Sequence, residues 1–376
     1  MGRCAIFKGG FCQSISPRVH AAKCAELRYS FGAENGLAQN VGACPGHYAR
    51  CLGNDGMAKY LITGIAGFIG SSLARALVER GEQVRGVDNF LTGKAANLAA
   101  LEDQIDFREA DLRDAAAMRA ACEGIDYVLH IGALPSVPLS VKNPEPSHRC
   151  NVDGTFHVLE AARANGVKRI IYAASSSAYG DQPVLPSKES MRPMPISPYA
   201  VQKLAGEHYM NSYWQVYGLE TVSLRYFNVF GPRQAAESPY SGVLAKFIQQ
   251  MLEGTRPTIF GNGDQGRDFT YIDNIVSANL LACAAPAEKV AGKVFNVACG
   301  AQHTLKEIYQ LLAKLIGFDR PPLYGPPRTG DILHSQADIS AAAEAFGYRP
   351  LIGVEEGLQR TVKWYRETLK LPVASR

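Results

Sequence analysis

The stretch KYLITGIAGFIGSSLARALVER, residues 59–80, decides the fold. Its first five residues are typical of a short buried strand, and residues 68–80 carry apolar side chains at helical spacing. Between them stands a glycine-rich turn, Gly-x-x-Gly-x-x-Gly, which lets backbone N–H groups approach a phosphate at the helix N-terminus. The stretch therefore predicts a strand, a phosphate-binding loop and a helix. The loop residues expected to contact a dinucleotide are Gly64, Gly67, Phe68, Ile69 and Gly70.

Two carboxylates follow the next strands of the pattern. Asp88 comes directly after a strand at 83–87, where it can accept hydrogen bonds from both hydroxyls of an adenosine ribose. It would repel a 2′-phosphate, so it favours NAD over NADP. Asp111 follows the third strand and could accept from the adenine amino group. Capping of the next helix is an equally open role for Asp111.

Strand and helix go on alternating as far as Gly231, which predicts an α/β fold with a Rossmann-type, doubly wound parallel sheet. Beyond Gly231, glycine and proline become frequent and short strands mix with helices. We therefore expect an NAD-binding domain at 57–231 and a smaller C-terminal α/β domain at 232–376 for the substrate, with interleaved segments. The other predicted strands are 105–108, 127–131, 169–173 and 221–224, and the other predicted helices are 153–165, 199–217, 243–252, 305–316 and 354–368.

Composition narrows the class of protein. The 376 residues are 47% hydrophobic and 20% charged, as in ordinary globular proteins. No apolar run approaches the roughly 18 residues needed to span a membrane. Most of the +4 net charge lies in residues 1–56, so the body is nearly neutral and indicates neither a nucleic-acid nor a membrane surface.

The sequence has nine scattered cysteines. An odd number of cysteines without any Cys-x-x-Cys pair indicates thiols in a reducing cytoplasm rather than disulfides or a metal site.

The first 56 residues form an irregular leader. They show no sustained hydrophobic period and no secretory signal. Met57 directly precedes the first strand, so we interpret the leader as disordered or as a mis-assigned gene start; a structured leader is the alternative.

A catalytic group is predicted by Tyr199 and Lys203, which lie four residues apart and share one face of a helix. A Lys ammonium at about 4 Å, with an effective dielectric of about 20, favours the phenolate by about 4 kcal/mol. That equals roughly three pKa units, enough to bring the phenol near neutrality. Ser175 and Ser176 end a buried strand, where ligands bind in such sheets. A serine hydroxyl beside a tyrosinate base is sufficient for alcohol oxidation.

These motifs together resemble the extended short-chain dehydrogenase/reductase superfamily, and specifically its UDP-glucose and UDP-N-acetylglucosamine 4-epimerases. The resemblance runs from Ala58 to about Thr368. Two positions depart from the usual pattern, because Gly132 stands where alanine is usual and Leu139 where a related arginine is frequent. The matching motifs are 63–70, 88–89, 111–112, 175–180, 199–203, 225–231, 261–273 and 328–331.

The resemblance implies a role for each matching residue. Ser175, helped by Ser176, would bind the sugar 4-oxygen, and Tyr199 would be the general acid/base supported by Lys203. It also implies a homodimer through a four-helix bundle of the helices at 153–165 and 199–217. The remaining implied contacts are Asn89 and Leu112 to NAD, Asn228 and Arg267 to the UDP diphosphate, Arg328 to a phosphate, Asp331 to the uridine ribose, and Ser136 to the substrate.

The reaction is narrowed by the residues immediately after the active-site serine. Related 4,6-dehydratases and UDP-glucuronate decarboxylases carry acidic residues there, whereas this chain reads Ser176-Ser177-Ala178. Without a second acid/base, the 4-keto sugar can only be reduced again, so we expect an NAD-dependent isomerase that inverts C4.

The preferred sugar is less closely defined by the sequence. Strict UDP-galactose epimerases carry a bulky Tyr where Ser335 stands, so acceptance of both UDP-glucose and UDP-N-acetylglucosamine is expected. A neutral loop role for Ser335 remains open. A UDP-glucuronate 4-epimerase and a non-catalytic NAD-sensing protein are the alternatives for the whole chain.

Overall fold

The computed structural model describes residues 57–236, 242–327 and 333–369. Thirteen strands lie within these ranges. In chain order they are β1 (Lys59–Thr63), β2 (Gln83–Asp88), β3 (Asp106–Glu109), β4 (Tyr127–His130), β5 (Arg169–Ser175), β6 (Glu220–Tyr226), β7 (Val229–Phe230), β8 (Thr258–Phe260), β9 (Gly266–Arg267), β10 (Thr270–Tyr271), β11 (Lys293–Val297), β12 (His303–Thr304) and β13 (Leu323–Gly325).

Twelve α-helices lie in the same described ranges. They are α1 (Phe68–Glu79), α2 (Ala115–Ala121), α3 (Val137–Lys142), α4 (Pro144–His148), α5 (Gly154–Ala164), α6 (Pro198–Tyr217), α7 (Val243–Leu252), α8 (Ile272–Ala284), α9 (Ala287–Val290), α10 (Leu305–Ile316), α11 (Ser340–Phe346) and α12 (Val354–Thr368). A π-helical turn, Arg149–Asp153, leads directly into α5, and a 3₁₀ turn, Ser176–Tyr179, follows β5.

Seven of the strands form one parallel sheet in the order β3-β2-β1-β4-β5-β6-β11. The order reverses direction at β1, with β2 and β3 on one side and β4, β5 and β6 on the other, which is the Rossmann arrangement. The predicted doubly wound α/β fold is therefore confirmed. Three further pairs, β7 with β10, β8 with β13 and β9 with β12, stand outside this sheet.

The seventh strand, β11, was not predicted. Lys293–Val297 pairs in parallel with β6, so that Val297 lies opposite Tyr226. The sequence assigned everything beyond Gly231 to a substrate domain, but this segment returns to the main sheet. The division of the chain into two domains near Gly231 stays a proposal, in which the segments interleave.

Both faces of the sheet are buried, which explains why its strands are almost continuously apolar. Along β1, β4 and β5, neighbouring residues alternate between two clusters. Ile62, Leu129 and Ile171 belong to a large core that also takes in α1, α7, α8 and α12. On the opposite face, Leu61, Val128 and Ile170 pack with α2, α5 and α6.

A buried arginine secures the edge of the sheet at which the strands begin. The Nη1 group of Arg169 donates to the carbonyls of Ala282, Cys283 and Ala285 at 2.7–2.8 Å, where α8 ends. Its Nε donates to Glu220 at 2.7 Å. Cationic donors satisfy the carbonyls that a helix leaves unpaired at its C-terminus. This cluster lies at the sheet edge opposite to the carboxyl ends of the strands.

Other sequence expectations fall partly outside the described residues. The leader at 1–56 lies outside them, as do five of the nine cysteines. The four described cysteines, Cys122, Cys150, Cys283 and Cys299, are free thiols, as expected. Among the described helices, none has the length and apolar character needed to cross a membrane.

Candidate active site

The glycine-rich loop joins β1 to α1 through a close approach of two backbones. Gly64 has a φ of +69°, and a Cβ there would lie 2.7 Å from the Cα of Gly132. A Cβ at Gly70 would collide with the carbonyl oxygen of Gly64. Gly67 precedes α1, and no described side chain caps that helix. The first-turn N–H groups, which include those of Phe68 and Ile69, are therefore available to an anion such as a pyrophosphate.

Asp88 ends β2 beside this loop. Its Oδ2 accepts from the Ala66 N–H and its Oδ1 from the Phe90 N–H, both at 2.9 Å. Burial raises the pKa of Asp88, and the two backbone donors oppose that rise. Gly93 packs on the carboxylate so closely that a Cβ there would lie 2.9 Å from Oδ1. The carboxylate is thereby held in one orientation next to the phosphate-binding loop.

Asp111 does not cap the following helix, so that predicted alternative was wrong. The cap of α2 is Asp114, whose Oδ1 accepts from the N–H groups of Ala116 and Ala117 at 3.0 Å. Asp111 instead forms a fork with Arg113, at 2.8 Å and 2.6 Å, and accepts from Asn89 Nδ2 at 2.7 Å. The Arg113 guanidinium holds the pKa of Asp111 well below its usual range.

Gly132, one of the two departures from the family pattern, packs closely against the side chain of Leu112 and the backbone of Gly64. A Cβ there would lie 2.9 Å from Leu112 Cδ1 and 3.2 Å from the Gly64 nitrogen. Leu112 itself is buried, and its carbonyl accepts from His157 Nδ1 at 3.1 Å. The absent methyl group at residue 132 therefore makes room for the glycine-rich loop.

A buried histidine, His130, helps to hold the backbone at Gly132 close to the end of β1. Because Thr155 donates its hydroxyl proton to the Asn151 carbonyl at 2.7 Å, it can only accept from His130 Nε2, which is 3.0 Å away. His130 Nδ1 then accepts from the Thr63 hydroxyl at 2.8 Å, and Thr63 accepts from the Gly132 N–H at 3.1 Å. Burial lowers the pKa of His130 to about 3, so the ring stays neutral.

Ser175 and Tyr199 meet at the carboxyl ends of the central strands. The Ser175 hydroxyl lies near the Tyr199 phenol, whose pKa it lowers, and accepts from the Ser177 hydroxyl at 2.9 Å. Ser176 begins the 3₁₀ turn that follows β5. The structure thus brings together the serine and the tyrosine that the sequence predicted as partners.

Lys203 lies on the same helix face as Tyr199, but its charge is directed elsewhere. Its Nζ donates to the Ala173 carbonyl at 2.9 Å and lies 4.9 Å from the centroid of the Tyr172 ring. Burial raises the pKa of Tyr199 above its ordinary value, and only the nearby Ser175 hydroxyl opposes this rise. The lowering of the Tyr199 pKa by Lys203, to which the nicotinamide charge was expected to add, stays a prediction. Helical spacing gives a shared face, not the direction of a flexible ammonium group.

Asn228, Ser335 and Arg267 form a second group of predicted residues. Asn228 has a φ of +28°, and its Nδ2 donates to the Asp268 carbonyl at 3.2 Å and to the Ser335 hydroxyl at 3.3 Å. The Ser335 N–H donates to the Gly266 carbonyl at 3.0 Å. Arg267 Nη1 donates to the carbonyls of Gly266 and Leu333 at 2.9 Å and 3.0 Å. The three predicted residues therefore lie in one connected segment.

Asp268 was not predicted to have a role, although it stands inside a quoted motif. Its buried carboxylate accepts from the N–H groups of Cys299, Gly300 and Ala337 at 2.9–3.2 Å. Burial raises its pKa to about 6, and the three N–H donors oppose that rise. One carboxylate thus ties the segment that carries Ser335 to the end of β11. The immediate neighbours of Asp268, Arg267 and Phe269, gave no signal of a buried carboxylate, because a charged residue beside an arginine is usually exposed.

Two polar contacts that hold α6 were also missed. The Tyr199 N–H donates to the Ser140 hydroxyl of α3 at 3.1 Å. Gln202 Oε1 accepts from Ser147 at 2.7 Å and from Asn151 Nδ2 at 2.9 Å. These partners lie more than 50 residues away in the sequence, so no local pattern could have identified them.

Three predicted substrate contacts remain to be placed. Ser136 is buried, and its hydroxyl accepts from the Leu139 N–H as the cap of α3. Leu139, the second departure from the family pattern, therefore lies in the first turn of α3. Arg328 and Asp331 lie outside the described residues.

This arrangement fits a dinucleotide. The uncapped start of α1 and the glycine-rich loop from Gly64 to Gly70 can bind a pyrophosphate. The Asp88 carboxylate can accept hydrogen bonds from ribose hydroxyls. The Ser175–Tyr199 pair can bind an alcohol oxygen and exchange its proton. No group of three or more His, Cys, Asp or Glu residues that could hold a metal ion occurs in the described ranges.

Comparisons with known proteins agree with this geometry. Residues 60–298 match the model of the NAD dependent epimerase/dehydratase family. The chain is similar to a UDP-glucose 4-epimerase of Mycolicibacterium smegmatis, with 37% identity over 82% of this chain and 98% of the relative.

Two solved structures are also similar. One is a UDP-N-acetylglucosamine 4-epimerase from Methanobrevibacter ruminantium in complex with UDP-N-acetylmuramic acid, with 39% identity, a TM-score of 0.79 and coverage of 83% of this chain and 99% of that one. The other is a UDP-glucuronic acid 4-epimerase from Bacillus cereus in complex with UDP-glucuronic acid and NAD. It has 32% identity, a TM-score of 0.77 and coverage of 82% and 99%.

The close packing of the glycine-rich loop from Gly64 to Gly70 can be tested by substitution. Gly70→Ala forces the Gly64 carbonyl out of the turn, so the variant should purify with little or no NAD. Gly353→Ala is the matched control, because Gly353 has a φ of −74° and a Cβ there would meet no neighbour within 4 Å. Cofactor content is measured by absorbance after acid release, and folding by circular dichroism. A folded Gly70→Ala protein with a full complement of NAD would contradict the assignment.

Proposed function

The chain belongs to the NAD-dependent epimerase/dehydratase family, and on that premise we propose that it interconverts the C4 epimers of UDP-glucose and of UDP-N-acetylglucosamine. It is an NAD-dependent enzyme that acts as a UDP-sugar 4-epimerase. The observation that carries the proposal is that Ser175, at the carboxyl end of β5, lies close enough to the Tyr199 phenol of α6 to oppose the rise of its pKa.

The proposed chemistry divides between the sugar 4-hydroxyl and its carbon. The Ser175 hydroxyl donates to the 4-oxygen and holds it beside the Tyr199 oxygen, and Ser176 assists. The Tyr199 phenolate takes the hydroxyl proton while C4 gives up its hydride, and in the reverse step the phenol returns the proton to the same oxygen. NAD, when bound, supplies the hydride acceptor and the positive nicotinamide charge that favours the phenolate.

Inversion occurs when the 4-keto sugar presents its other face before it is reduced. No carboxylate follows Ser175 in the turn Ser176–Tyr179, so no second acid/base group favours elimination or decarboxylation at this point of the chain. The keto sugar therefore returns to an alcohol, and no external reductant is consumed.

Binding residues for the cofactor are assigned from the loop geometry. We assign the pyrophosphate to the turn from Gly64 to Gly70, the adenosine ribose to Asp88, and the adenine end to Asn89, Asp111 and Leu112. Lys203 hydrogen-bonds the nicotinamide ribose from its buried position on α6. The Asp88 carboxylate disfavours a 2′-phosphate, which supports NAD.

The UDP-sugar is assigned to the segment that joins Asn228, Arg267 and Ser335. A diphosphate suits the guanidinium fork of Arg267 and the amide of Asn228. Ser136, Arg328 and Asp331 complete the proposed set. Ser335 supports acceptance of an N-acetyl group, because a small side chain next to Asn228 leaves room for it.

A UDP-glucuronate 4-epimerase is the second candidate. The similarity to the Bacillus cereus UDP-glucuronic acid 4-epimerase, at 32% identity, favours it. Its substrate carries an additional carboxylate, which needs a cationic or polar partner beside C6. Incubation with all three UDP-sugars, followed by NMR of the products, separates the candidates. Turnover of UDP-glucuronate alone would replace our proposal.

A homodimer through α5 and α6 is also proposed. Both helices carry exposed apolar side chains, and the rings of Phe156 of α5 and Tyr209 of α6 contact each other at an interplanar angle of 56°, with centroids 6.0 Å apart. Val201, Val216 and Tyr217 of α6 are each more than half exposed. An apolar surface of this kind on two adjacent helices is typical of a four-helix bundle interface.

Tyr199→Phe tests the acid/base assignment. The variant keeps the ring and the packing but cannot exchange a proton, so kcat should fall by at least about 100-fold. Bound NAD should remain, because the phenol oxygen is not required for the phosphate and ribose contacts. A coupled assay gives the rate, and absorbance gives the cofactor content. Turnover close to that of the unchanged enzyme would remove Tyr199 from its role.

Ser335→Tyr tests substrate breadth. A phenol ring beside Asn228 should exclude the acetamido group, so kcat/KM for UDP-N-acetylglucosamine should fall by more than about 10-fold relative to that for UDP-glucose, which shares only the loss of the hydrogen bond from Asn228. Ser335→Ala is the matched control for loss of the hydroxyl alone. Equal losses on both sugars would show that residue 335 does not discriminate between them.

Val216→Glu tests the proposed interface. A carboxylate buried between two copies costs several kcal/mol unless it is paired, so the variant should elute as a monomer in size-exclusion chromatography with light scattering. Leu351→Glu is the control, since Leu351 is exposed but lies outside both helices. A Val216→Glu protein with the same mass as the unchanged protein would contradict this interface.

A further inference from the structure

A fully buried ion pair lies beneath the catalytic helix. Arg225 Nε donates to Glu207 Oε1 at 2.9 Å, and its Nη2 donates to Oε2 at 2.7 Å. The two side chains are 4% and 3% exposed, so neither charge is solvated. The guanidinium also stacks on the Tyr179 ring, 4.5 Å from its centroid. Arg225 comes from β6 and Glu207 from α6, so the pair joins the helix to the sheet.

The pair is near the buried ammonium of Lys203. Lys203 and Glu207 are four residues apart on α6, and side chains at this spacing are neighbours on a helix surface. Lys203 Nζ lies 4.9 Å from the centroid of the Tyr172 ring. Burial raises the pKa of the Tyr172 phenol, and the charge of Glu207 adds to that rise. Tyr172 also donates its hydroxyl to the Lys203 carbonyl at 3.4 Å.

The other titratable groups around Lys203 carry no negative charge that would stabilise its buried ammonium. From β4, the neutral ring of His130 faces it, and from β5 the phenol of Tyr172. From the π-helical turn comes Cys150, whose pKa burial raises to about 11, so that its thiol stays protonated. Tyr199 lies one turn earlier on α6, and Arg225 of β6 stands behind Glu207. Glu207 is thus the one carboxylate whose charge acts on the ammonium among the described residues.

We propose that Glu207, held in place by Arg225, is a positioning residue whose negative charge keeps the buried Lys203 ammonium protonated and directed at the Ala173 carbonyl. This inference rests on the proposed function, in which the Lys203 ammonium hydrogen-bonds the nicotinamide ribose. Arg225 holds both carboxylate oxygens of Glu207, while Lys203 Nζ donates to the Ala173 carbonyl instead. The ammonium therefore keeps donors for the nicotinamide ribose.

Burial lowers the pKa of Lys203 to about 8, and Cys150 and the charge of Glu207 oppose that decrease. Removal of the Glu207 charge leaves Arg225 as an uncompensated cation in the same region. Both changes disfavour a protonated Lys203. At an effective dielectric of about 20 and roughly 8 Å, one charge shifts a titration midpoint by about one to two pH units.

The experiment compares Glu207→Gln with the unchanged holoenzyme. The Lys203 Cε resonance, in protein labelled with ¹³C-lysine and assigned with Lys203→Met, is followed from pH 6 to 11. We expect its midpoint to fall by about one pH unit or more. The alkaline limb of the pH profile of kcat should move down by a similar amount. Glu207→Asp, which keeps the charge, should recover part of the shift.

A matched control is available at the opposite edge of the sheet. Arg169 and Glu220 form a second largely buried pair, 3% and 21% exposed. Glu220→Gln should lower the unfolding temperature but leave both the Lys203 midpoint and the alkaline limb unchanged. If Glu207→Gln does not fold, the double variant Glu207→Leu/Arg225→Met removes both charges, a change that buried pairs commonly tolerate. Its Lys203 midpoint should still fall, by less than in the single variant.

The outcomes distinguish a failure of this inference from a failure of the proposed function. An unchanged Lys203 midpoint in a folded Glu207→Gln or double variant, with a lower unfolding temperature, makes the pair merely structural and overturns this inference. Absence of turnover on every UDP-sugar by the unchanged enzyme overturns the proposed function instead. The resonance titration still decides the inference in that case, since it does not need activity.

Discussion

The candidate site depends on the burial of one ammonium group. Lys203 has left water entirely, and desolvating a charge is costly unless fixed dipoles and counter-charges replace the solvent. The Ala173 carbonyl and the face of the Tyr172 ring serve this purpose, and both belong to β5. The helix must therefore press closely against that strand. Gly206 permits this approach, because a Cβ there would collide with the Tyr172 hydroxyl. The position of Tyr199 on the same helix is a consequence of that packing.

The start of α6 meets a second requirement, since buried N–H groups at a helix N-terminus need acceptors. Pro198 has no N–H group, and the Ser197 hydroxyl accepts from the Ala200 N–H at 3.2 Å. Ser140 of α3 accepts from the Tyr199 N–H and so completes the turn. The backbone of Tyr199, the proposed acid/base residue, is thus fixed by a hydroxyl from another helix. A rigid phenol next to Ser175 needs no reorganisation when a substrate oxygen arrives, which is the electrostatic advantage of a preorganised site.

The local pattern of residue types along the sequence was sufficient to predict most of the fold. The spacing of glycines after a short apolar segment predicted β1, its loop and α1, and the spacing of Tyr199 and Lys203 predicted a shared helix face. Local patterns failed where the deciding partner is distant. β11 finds its place only by pairing with β6, and Ser140 has a role only because Tyr199 lies against it. The direction of the Lys203 ammonium was also beyond the sequence, because it is set by a strand carbonyl rather than by helical spacing.

In the proposed substrate-binding segment, a buried carboxylate, that of Asp268, likewise fixes the groups around it. Asp268 holds three backbone N–H groups from two separate segments, and its own carbonyl accepts from Asn228. Asn228 occupies a left-handed conformation that few non-glycine residues adopt, so it needs such support. Its amide also donates to Ser335. The proposed diphosphate contact and the proposed determinant of sugar size therefore share one hydrogen bond. In the proposed assignment, a change of side chain at residue 335 would alter the room for the sugar and the support of Asn228 together, and would therefore couple substrate breadth to diphosphate affinity.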